Sequence, residues 1–558
     1  MKHTAKRALG DVCRLAWPCH PPFCARGIRV LGRALADCQP MEPCGYTGER
    51  PPSQFNLARY CLGTGSPRQA DRLALAVVSD AHAPDPAIER WTFGQLDEAV
   101  RKVAAGFQRM ELEPNARVMI RMGNTSDYAL VFFGAIAAGL VALPSSPQLT
   151  QGEADFLLED AGARVLVVSD ELELGHHAGV HVLGRRDVRE MLRVESPGEY
   201  AHTAAEDPAF LIYTSGTTGE PKGVLHAQRS AWGRRPMVEG WFGGMGPRDV
   251  VLHAGAFNWT YTIGVGLTDP WANGATAVLY NGERDVRVWP ALIERFGATL
   301  FATVPGLYRQ ILKYCDLSAH DLSSLRHGLC AGEALRPALL QAWRDATGLE
   351  LYEALGMSEC STYISSSPSV PVRPGRPGKP QQGRCVAVLP LEGGEEPLPA
   401  GQVGMLAVHR SDPGLMLGYW NRPDESALVE RGPWFVGGDL ASFDNDGYLI
   451  YQGRNDDVMN AMGYRVSPLE VEHCLSHHPL VSEVAVTELS VREDVSVIAA
   501  FVVPSDPDEA DAAPLLAYAH RHLAAYKCPR EIVFTDRLPR TSNGKVLRRE
   551  LARMTRMG

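Results

Sequence analysis

Short apolar segments alternate with amphipathic helical segments from residue 55 onward, and this alternation restricts the fold more than any other feature of the chain. Segment 91–110 offers Thr92 as an N-cap before a helical repeat. The apolar residues of that repeat share one face, namely Leu96, Val100, Val103 and Phe107. Apolar stretches such as 163–170 and 298–305 follow helical segments and end in turn residues. The pattern predicts an α/β fold of mainly parallel sheets with helices on both faces.

The length of 558 residues predicts more than one domain, because a single hydrophobic core stops growing well below this size. A polar, glycine-containing run at 451–472 separates two apolar parts of the chain. We therefore predict a large domain over 46–455 and a small α+β domain over 456–558.

The first 45 residues differ in composition from the rest of the chain. Up to Cys38 they hold seven Lys or Arg against two acidic residues, and they show no sustained apolar period. The sequence predicts a disordered extension over 1–45. An organelle-targeting segment and a start codon placed too far upstream stay open as alternatives.

Charge and cysteine usage exclude several function classes. A net charge of −10 opposes a general nucleic-acid surface, and no apolar run reaches the ~20 residues that span a bilayer. The twelve cysteines form no CxxC pair, so neither a zinc site nor a disulfide framework is expected. We expect a cytoplasmic protein with reduced cysteines.

The segment 213–223, YTSGTTGEPKG, indicates a phosphate-binding loop. Glycines let backbone N–H groups approach an anion closely, hydroxyl side chains donate further hydrogen bonds, and Lys222 supplies a positive charge. The loop is not of the Walker type, because Lys222 precedes Gly223 and is not followed by Ser or Thr.

The whole string 213–223 resembles the phosphate loop of the adenylate-forming superfamily, which includes acyl-CoA synthetases. Segments 331–337 and 354–359 resemble the adenine-side segment and the Gly-x-Thr-Glu motif of that family, with Ser358 where Thr is commoner. Segment 438–457 resembles its ribose-binding and hinge signature. Segment 538–551 resembles its C-terminal lysine motif. The motifs occur in the family's order, and the resemblance is greatest to benzoate-CoA ligases.

The resemblance implies an enzyme that uses ATP, Mg²⁺ and coenzyme A. The large domain would include a β-barrel-like subdomain, and the small domain would be a mobile lid. The activity would be that of an AMP-forming acid:CoA ligase, which makes an acyl-adenylate and transfers the acyl group to coenzyme A. A freestanding enzyme that loads an acyl carrier protein is the enzymatic alternative, and a silent nucleotide-binding scaffold is a third hypothesis.

The resemblance also assigns roles to single residues. Asp439 would accept hydrogen bonds from the ribose hydroxyls, Glu359 would hold Mg²⁺, and Asp456 would be the hinge. The remaining cofactor-binding residues are Thr214, Ser215, Gly216, Thr217, Thr218, Gly219, Lys222, Gly332, Glu333, Ala334, Gly356, Ser358, Arg454, Gly463 and Tyr464. Gly463 and Tyr464 would adjoin the pantetheine arm, and Ser358 with Glu359 would belong to the catalytic set. Ordinary structural roles, such as a turn aspartate or an interface ion pair, are the alternatives.

The acyl pocket is predicted in segment 253–279, which aligns without gaps to the equivalent stretch of benzoate-CoA ligases. The predicted lining is Phe257, Trp259, Thr260, Tyr261, Thr362 and Tyr363. These side chains suit an aromatic, alicyclic or medium-chain acid, although aromatic residues also fill ordinary cores. Residues 360–367 are more polar than those of benzoate ligases, so a hydroxylated aryl acid is also compatible.

Lys545 is the predicted catalytic cation. When a carboxylate attacks the α-phosphorus of ATP, negative charge accumulates on the phosphate, and an ammonium group placed there stabilises the transition state. The context of Lys545 also resembles an acetylation site, so a protein lysine acetyltransferase is a candidate partner. A homodimer is a further candidate assembly.

Replacing Lys545 by alanine is expected to abolish most adenylation while retaining thioester formation from a supplied acyl-adenylate. The cation acts on the phosphate in the first half reaction only. Pyrophosphate release measures the first half, and thioester formation from synthetic acyl-adenylate measures the second. An equal loss in both halves would reject this division.

Overall fold

The structure is a computed structural model in which most of the chain beyond residue 44 is described. The described residues are 45–63, 67–81, 83, 87–172, 177–214, 221–455, 459–461, 464–492, 495–523, 525–540 and 546–554. The predicted extension 1–45, apart from Gly45, and the predicted boundary at 456 lie outside these ranges.

The strands fall in five sheets. In chain order they are β1 Leu73–Val78, β2 Ile88–Thr92, β3 Arg117–Arg121, β4 Val141–Ser145, β5 Val165–Val168, β6 His181–Leu183, β7 Pro208–Thr214, β8 Lys222–Ala227, β9 Val250–His253, β10 Thr276–Tyr280, β11 Leu300–Thr303, β12 His327–Ala331, β13 Leu351–Met357, β14 Ser361–Ser365, β15 Lys379–Pro380, β16 Val386–Leu389, β17 Gly404–His409, β18 Gly418–Tyr419, β19 Glu430–Arg431, β20 Trp434–Phe443, β21 Leu449–Arg454, β22 Met459–Ala461, β23 Tyr464–Val466, β24 Val481–Arg492, β25 Val495–Pro504 and β26 Glu531–Phe534. All five are sheets of the described part of the chain.

The helices alternate with these strands as the sequence predicts. The α-helices span Leu57–Leu62, Pro67–Ala70, Phe93–Gln108, Ser126–Ala137, Gln151–Ala161, Arg185–Val194, Pro236–Gly240, Thr260–Ile263, Asp269–Ala272, Val288–Phe296, Pro305–Tyr314, Pro337–Thr347, Pro423–Leu428, Pro468–Leu475, Ala512–His522 and Arg548–Met554. A π-helix covers Gly264–Thr268. Single 3₁₀ turns lie at Gln228–Ser230, Trp232–Arg234, Leu317–Ala319, Pro507–Glu509 and Ala525–Lys527.

Two large sheets form the main part of the fold, and both are mainly parallel. The nine-stranded sheet has the order β15, β14, β13, β12, β11, β9, β10, β1, β2, with β13 to β1 mutually parallel. The seven-stranded sheet has the order β18, β8, β7, β4, β3, β5, β6, and its strands from β7 to β6 are parallel. The predicted α/β class is confirmed.

The helix Ser126–Ala137 is buried on every side, which is why nearly all its residues beyond the first turn are apolar. It packs in the core that also holds residues of β1, β3 and the helix Phe93–Gln108. That second helix has the predicted capping box, in which Thr92 accepts from the backbone N–H of Gln95 and Gln95 returns the bond. Its predicted apolar face is buried.

A smaller antiparallel sheet follows the two large ones and corresponds to the predicted barrel-like subdomain. Its order is β16, β17, β20, β19, and β21 also pairs with β20. Register shifts interrupt the pairing of β20 with both β17 and β21, and bulges of this kind bend a strand. Asp439 and Arg454 are opposite residues of β20 and β21, next to one of these register shifts.

The C-terminal part has its own sheet and its own apolar core. Strand β25 pairs antiparallel with β24 and parallel with β26. The helices Pro468–Leu475 and Ala512–His522 contribute Val471, Leu475 and Leu515 to the core beneath this sheet. The predicted small α+β domain is therefore present.

Two further observations concern membranes and cysteines. Among the described residues, no helix is long and apolar enough to cross a membrane. Cys385 is disulfide-bonded, whereas the sequence led us to expect reduced cysteines without a disulfide framework. Spacing along the chain does not show which cysteines meet in the fold, so this bond was not predicted.

Candidate active site

The candidate site lies where several parallel strands end. Strands β9, β12 and β13 run parallel in one sheet and lead into the predicted acyl, adenine-side and Gly-x-Thr-Glu segments. Because the carboxyl ends of parallel strands meet at one edge, the fold brings three distant segments together. Ligand sites of open α/β sheets form at such edges.

The predicted phosphate loop connects β7 to β8. Thr214 ends β7 and Lys222 begins β8, and these two residues are paired across the hairpin. The loop between them holds the predicted Ser215, Gly216, Thr217, Thr218 and Gly219, which lie outside the described residues. The structure thus gives the two ends of the loop.

Lys222 and Glu359 are connected through one tyrosine. The Lys222 ammonium forms an ion pair with Glu425 and lies 5.7 Å from the ring centroid of Tyr419. The Tyr419 hydroxyl donates a hydrogen bond of 2.7 Å to Glu359 Oε1. The sequence analysis did not identify Tyr419 or Glu425, because their proximity depends on the pairing of β18 with β8.

Glu359 and Ser358 lie in the tight turn between β13 and β14. A side chain on Gly356 would come within 2.6 Å of the Ser361 carbonyl, so the turn requires glycine at that position. The Glu359 carbonyl accepts a 2.7 Å bond from the Met416 backbone, which fixes the turn against the segment before β18.

The side chains near Glu359 show whether this part of the site could bind Mg²⁺. In the described ranges, no group of three or more His, Cys, Asp and Glu side chains is arranged to hold a metal. A single carboxylate still fits Mg²⁺ at a nucleotide site, because this ion keeps several waters and takes phosphate oxygens as ligands. Glu359 therefore fits the role of the protein ligand to Mg²⁺.

Asp439 and Arg454 form the predicted ribose corner. Their side chains lie 3.7 Å apart from Arg454 Nη1 to Asp439 Oδ1, and the Tyr451 hydroxyl donates 2.8 Å to the same oxygen. Arg454 also donates to the Gly437 carbonyl at 2.6 Å. Burial, with Asp439 beside the hydroxyl, raises the pKa of Tyr451, so this hydroxyl stays a neutral donor. Gly438 has φ +88, a conformation that favours glycine.

Tyr363 belongs to the predicted acyl pocket, and this assignment stays a prediction. It is buried, and burial together with Asp439 and Glu359 raises the pKa of its hydroxyl. It packs in the core formed with the antiparallel sheet. Consecutive residues of a strand point to opposite faces, so Thr362 and Tyr363 of β14 do not line one wall together.

The adenine-side segment follows β12. Gly332 has φ +94, and a side chain there would meet the Trp259 ring at 2.8 Å, so the adenine-side and acyl segments are in close contact. Ala334 belongs to the same stretch. Burial raises the pKa of Glu333, and Arg540 lies 3.8 Å from this carboxylate.

Glu353 binds the backbone of this segment, and the sequence analysis did not identify it. Its Oε1 accepts a 3.0 Å hydrogen bond from the Leu335 backbone N–H. The side chain is buried, and burial raises its pKa to about 7. The acidic position two residues after the start of an apolar strand was the available signal.

The other predicted acyl-pocket residues divide between core and cavity. Phe257 and Tyr261 are buried, and their rings pack within apolar clusters. The rings of Trp259 and Tyr261 meet edge to face, with their centroids 5.2 Å apart. Thr260, by contrast, lines a narrow cavity together with Ser358.

Four further predicted residues belong to the C-terminal part. Tyr464 begins β23 and pairs with Ala461 of β22. Asp456, Gly463 and Lys545 lie outside the described residues. Their assignments stay predictions.

A family model described as AMP-binding enzyme matches residues 67–420, which is more than half of the chain. The chain belongs to this family. A second model, AMP-binding enzyme C-terminal domain, matches residues 470–545. The resemblance inferred from the motifs is confirmed.

Known proteins of the family show the same extent of similarity. Acyl-coenzyme A synthetase ACSM5, mitochondrial, of Mus musculus is 32% identical over 496 residues, covering 83% of this chain and 84% of that protein. Benzoate–CoA ligase of Thauera aromatica is 31% identical over 478 residues, covering 83% of this chain and 90% of that protein. The crystal structure of the anthranilate CoA ligase AuaEII with anthranoyl-AMP has a TM-score of 0.79 and 30% identity, with 90% and 98% covered.

The family membership and these relatives identify the enzyme class. The chain is an AMP-forming acid–thiol ligase, and its class consumes ATP and coenzyme A together with a carboxylic acid.

Replacing Glu353 by glutamine is expected to remove a pH dependence of stability. The folded carboxyl, with a pKa of about 7 against an ordinary 4.5, holds a proton that the unfolded chain releases between these values. The protonated Glu353 therefore contributes to the free energy of unfolding at low pH. This contribution is lost as the pH rises, and the free energy of unfolding falls by up to about 3 kcal/mol.

Denaturant unfolding at pH 5 and pH 8 checks this expectation. The difference in free energy of unfolding between variant and wild type should be more favourable to the variant at pH 8 than at pH 5. The exposed Glu392→Gln is the matched control and should follow the wild type at both values. A constant difference between Glu353→Gln and wild type would contradict the assignment.

Proposed function

We propose that this enzyme activates an aromatic, alicyclic or medium-chain carboxylic acid as its acyl-adenylate and transfers the acyl group to coenzyme A. The observation that carries the proposal is the convergence of two arrangements at one site. One joins Lys222 to Glu359 through Tyr419, and the other joins Asp439 to Arg454 and Tyr451.

Each group has a role in binding ATP. Lys222 and Thr214, at the ends of the β7–β8 loop, hold phosphate oxygens by charge and hydrogen bonding. Glu359 provides the protein ligand for Mg²⁺, which when bound neutralises phosphate charge. Asp439 accepts hydrogen bonds from the ribose hydroxyls. Tyr451 keeps that carboxylate in place through its 2.8 Å bond.

The hydroxyl groups of Tyr363 and Tyr419 affect the charge of the site. The Tyr419 hydroxyl donates to Glu359, and burial with that carboxylate raises its pKa. Burial, together with Asp439 and Glu359, raises the pKa of Tyr363. Both hydroxyls therefore remain neutral and do not add negative charge where triphosphate binds. Lys545, delivered by the C-terminal segment, supplies the cation at the α-phosphate in this proposal.

The acid is proposed from the pocket and from the relatives. Trp259 and Thr260 border the site beside apolar side chains, which suits a flat or extended acyl group. Benzoate–CoA ligase and the anthranilate CoA ligase structure support an aryl acid. The mitochondrial acyl-coenzyme A synthetase supports other acyl groups.

Coenzyme A is the proposed acceptor, because the relatives are CoA ligases. Transfer to an acyl carrier protein is the less favoured alternative. A cytoplasmic location, a homodimer and acetylation of Lys545 by a protein lysine acetyltransferase stay predictions.

A panel of acids tests the proposal. Purified protein is assayed for pyrophosphate and AMP with ATP, Mg²⁺ and each acid, with and without coenzyme A. We expect AMP release that coenzyme A stimulates, together with an acyl-CoA product. Pyrophosphate exchange that coenzyme A does not affect would support carrier loading, and no turnover with any acid would reject the proposal.

Asp439→Asn is expected to lower kcat/KM for ATP by about 10- to 100-fold, since a hydrogen bond to a charged group contributes about 1.5–3 kcal/mol. The variant should also lose the preference of the wild type for ATP over 2′-deoxyATP, because the carboxylate is proposed to bind the ribose hydroxyls. Steady-state kinetics with both nucleotides measure this.

Tyr451→Phe is the matched control. It removes one donor to Asp439 but keeps the carboxylate, so the preference for ATP over 2′-deoxyATP should persist. If Asp439→Asn retained the wild-type preference, the ribose assignment would be wrong.

A further inference from the structure

A cavity of the large domain shares two lining residues with the candidate active site. Ser358 and Thr260 border it at the site, and apolar side chains such as Phe210 and Ile263 form much of its wall. Its buried polar side chains are Arg234, His226, Ser230 and Thr268. An apolar pocket with a few convergent polar groups is typical of a small-molecule site.

Arg234 is held in this cavity by a buried ion pair. Its Nε and Nη2 each donate a 2.7 Å hydrogen bond to the Asp269 carboxylate, and both side chains are at most 10% exposed. The bidentate pair satisfies three requirements at once, because it orients the guanidinium, neutralises its charge and leaves other N–H groups on the terminal nitrogens.

Two backbone features make room for the guanidinium. Gly264 begins the π-helix after Thr260–Ile263, and a side chain there would lie 2.2 Å from Arg234 Nη2. Ser361 has φ +73, an uncommon conformation for a residue with a side chain, and its hydroxyl accepts a hydrogen bond from Arg234 Nη1. Irregular backbone of this kind occurs frequently at functional sites.

His226 is the unsatisfied group of the cavity. It is 3% exposed, and its ring stacks on Phe210 with centroids 4.5 Å apart. Neither ring nitrogen has a hydrogen-bond partner among the described residues, although a backbone group of Ser358 lies close without meeting hydrogen-bond geometry. Burial lowers the pKa of His226 to about 3, so the ring is neutral at physiological pH.

The charge balance of the cavity selects among polar ligands. Arg234 and Asp269 cancel, and His226 is neutral, so the cavity has no net charge to offset a second carboxylate. Burying such a carboxylate without a counter-charge is costly. A neutral hydroxyl or carbonyl group can instead pair with a histidine nitrogen and accept from a guanidinium N–H. An apolar group would leave the His226 nitrogens without partners.

We propose that the acid activated by this enzyme carries a neutral hydrogen-bonding group, a hydroxyl or carbonyl, at the end remote from its carboxylate, and that His226 and Arg234 bind it. This inference rests on the proposed function, because Ser358 and Thr260 of the proposed site line the cavity. It narrows the acid to a class that the sequence left open.

Matched pairs of acids test the inference on the wild-type enzyme. The pairs are 3-hydroxybenzoate with 3-methylbenzoate, 4-hydroxybenzoate with 4-methylbenzoate, and 6-hydroxyhexanoate with heptanoate. In each pair a hydroxyl replaces a methyl group of similar size. We expect kcat/KM for acyl-CoA formation to favour the hydroxylated member of at least one pair by tenfold or more, since a site with buried polar groups rejects an analogue that leaves them unpaired.

His226→Phe shows whether the cavity is responsible. The phenylalanine keeps the ring contact with Phe210 but removes both nitrogens. The preference for the hydroxylated acid should fall to within about threefold. His327→Phe is the control, because His327 is also buried with an unpartnered nitrogen but packs against Tyr352 away from the cavity. It should retain the wild-type preference.

The outcomes separate this inference from the proposed function. Pyrophosphate formation with no preference in any pair would overturn the inference and leave the proposed function intact. A preference for isophthalate or terephthalate over every hydroxylated acid would overturn the neutral character of the group. No pyrophosphate with any acid would reject both. The wild-type preferences decide the question even if His226→Phe does not fold.

Discussion

A polar group that folding removes from water must find a partner, and this constraint organises the interior around the active site. Arg384 and Asp412 show the satisfied case, since both are almost fully buried and lie 2.8 Å apart, and Arg384 also donates a hydrogen bond to the Gly233 carbonyl. Such a pair is costly to break but gives little net stability over apolar packing. Its effect is to fix the position of the surrounding segments.

The same constraint separates structural from functional groups near the nucleotide site. Asp439 and Glu353 are buried carboxylates with specific donors, so their positions are defined before any ligand arrives. A preorganised carboxylate binds a hydroxyl without first having to be ordered. The His226 nitrogens, which remain unpaired within the described residues and line a cavity, are instead the groups proposed to bind the remote end of the acid.

Local patterns in the sequence were sufficient for much of the fold. The helix Phe93–Gln108 begins at its predicted N-cap, and the strands at 165–168 and 300–303 lie within the predicted apolar stretches. These features depend on neighbours in the chain. The motif residues at the strand ends could be predicted as site residues for a similar reason, because each motif is contiguous.

Contacts between distant segments were not predictable in the same way. Arg234 meets Asp269 across 35 residues, and Tyr419 reaches Glu359 across 60. These pairs depend on which strands become neighbours, which no local pattern encodes. The packing of Tyr363 has the same origin, since its side of β14 is decided by the sheet packed against it.

The way in which the C-terminal segment meets the large domain follows from the weakness of partly exposed ion pairs. Arg540, just before the stretch that holds Lys545, binds Glu483 of its own domain at 2.7 Å and lies 3.8 Å from Glu333 of the adenine-side segment. Pairs of this exposure contribute little stability, typically below about 1 kcal/mol. A contact of this strength can orient the segment and still be released, which is what an enzyme needs if one lysine must be present in the first half reaction and absent from the second.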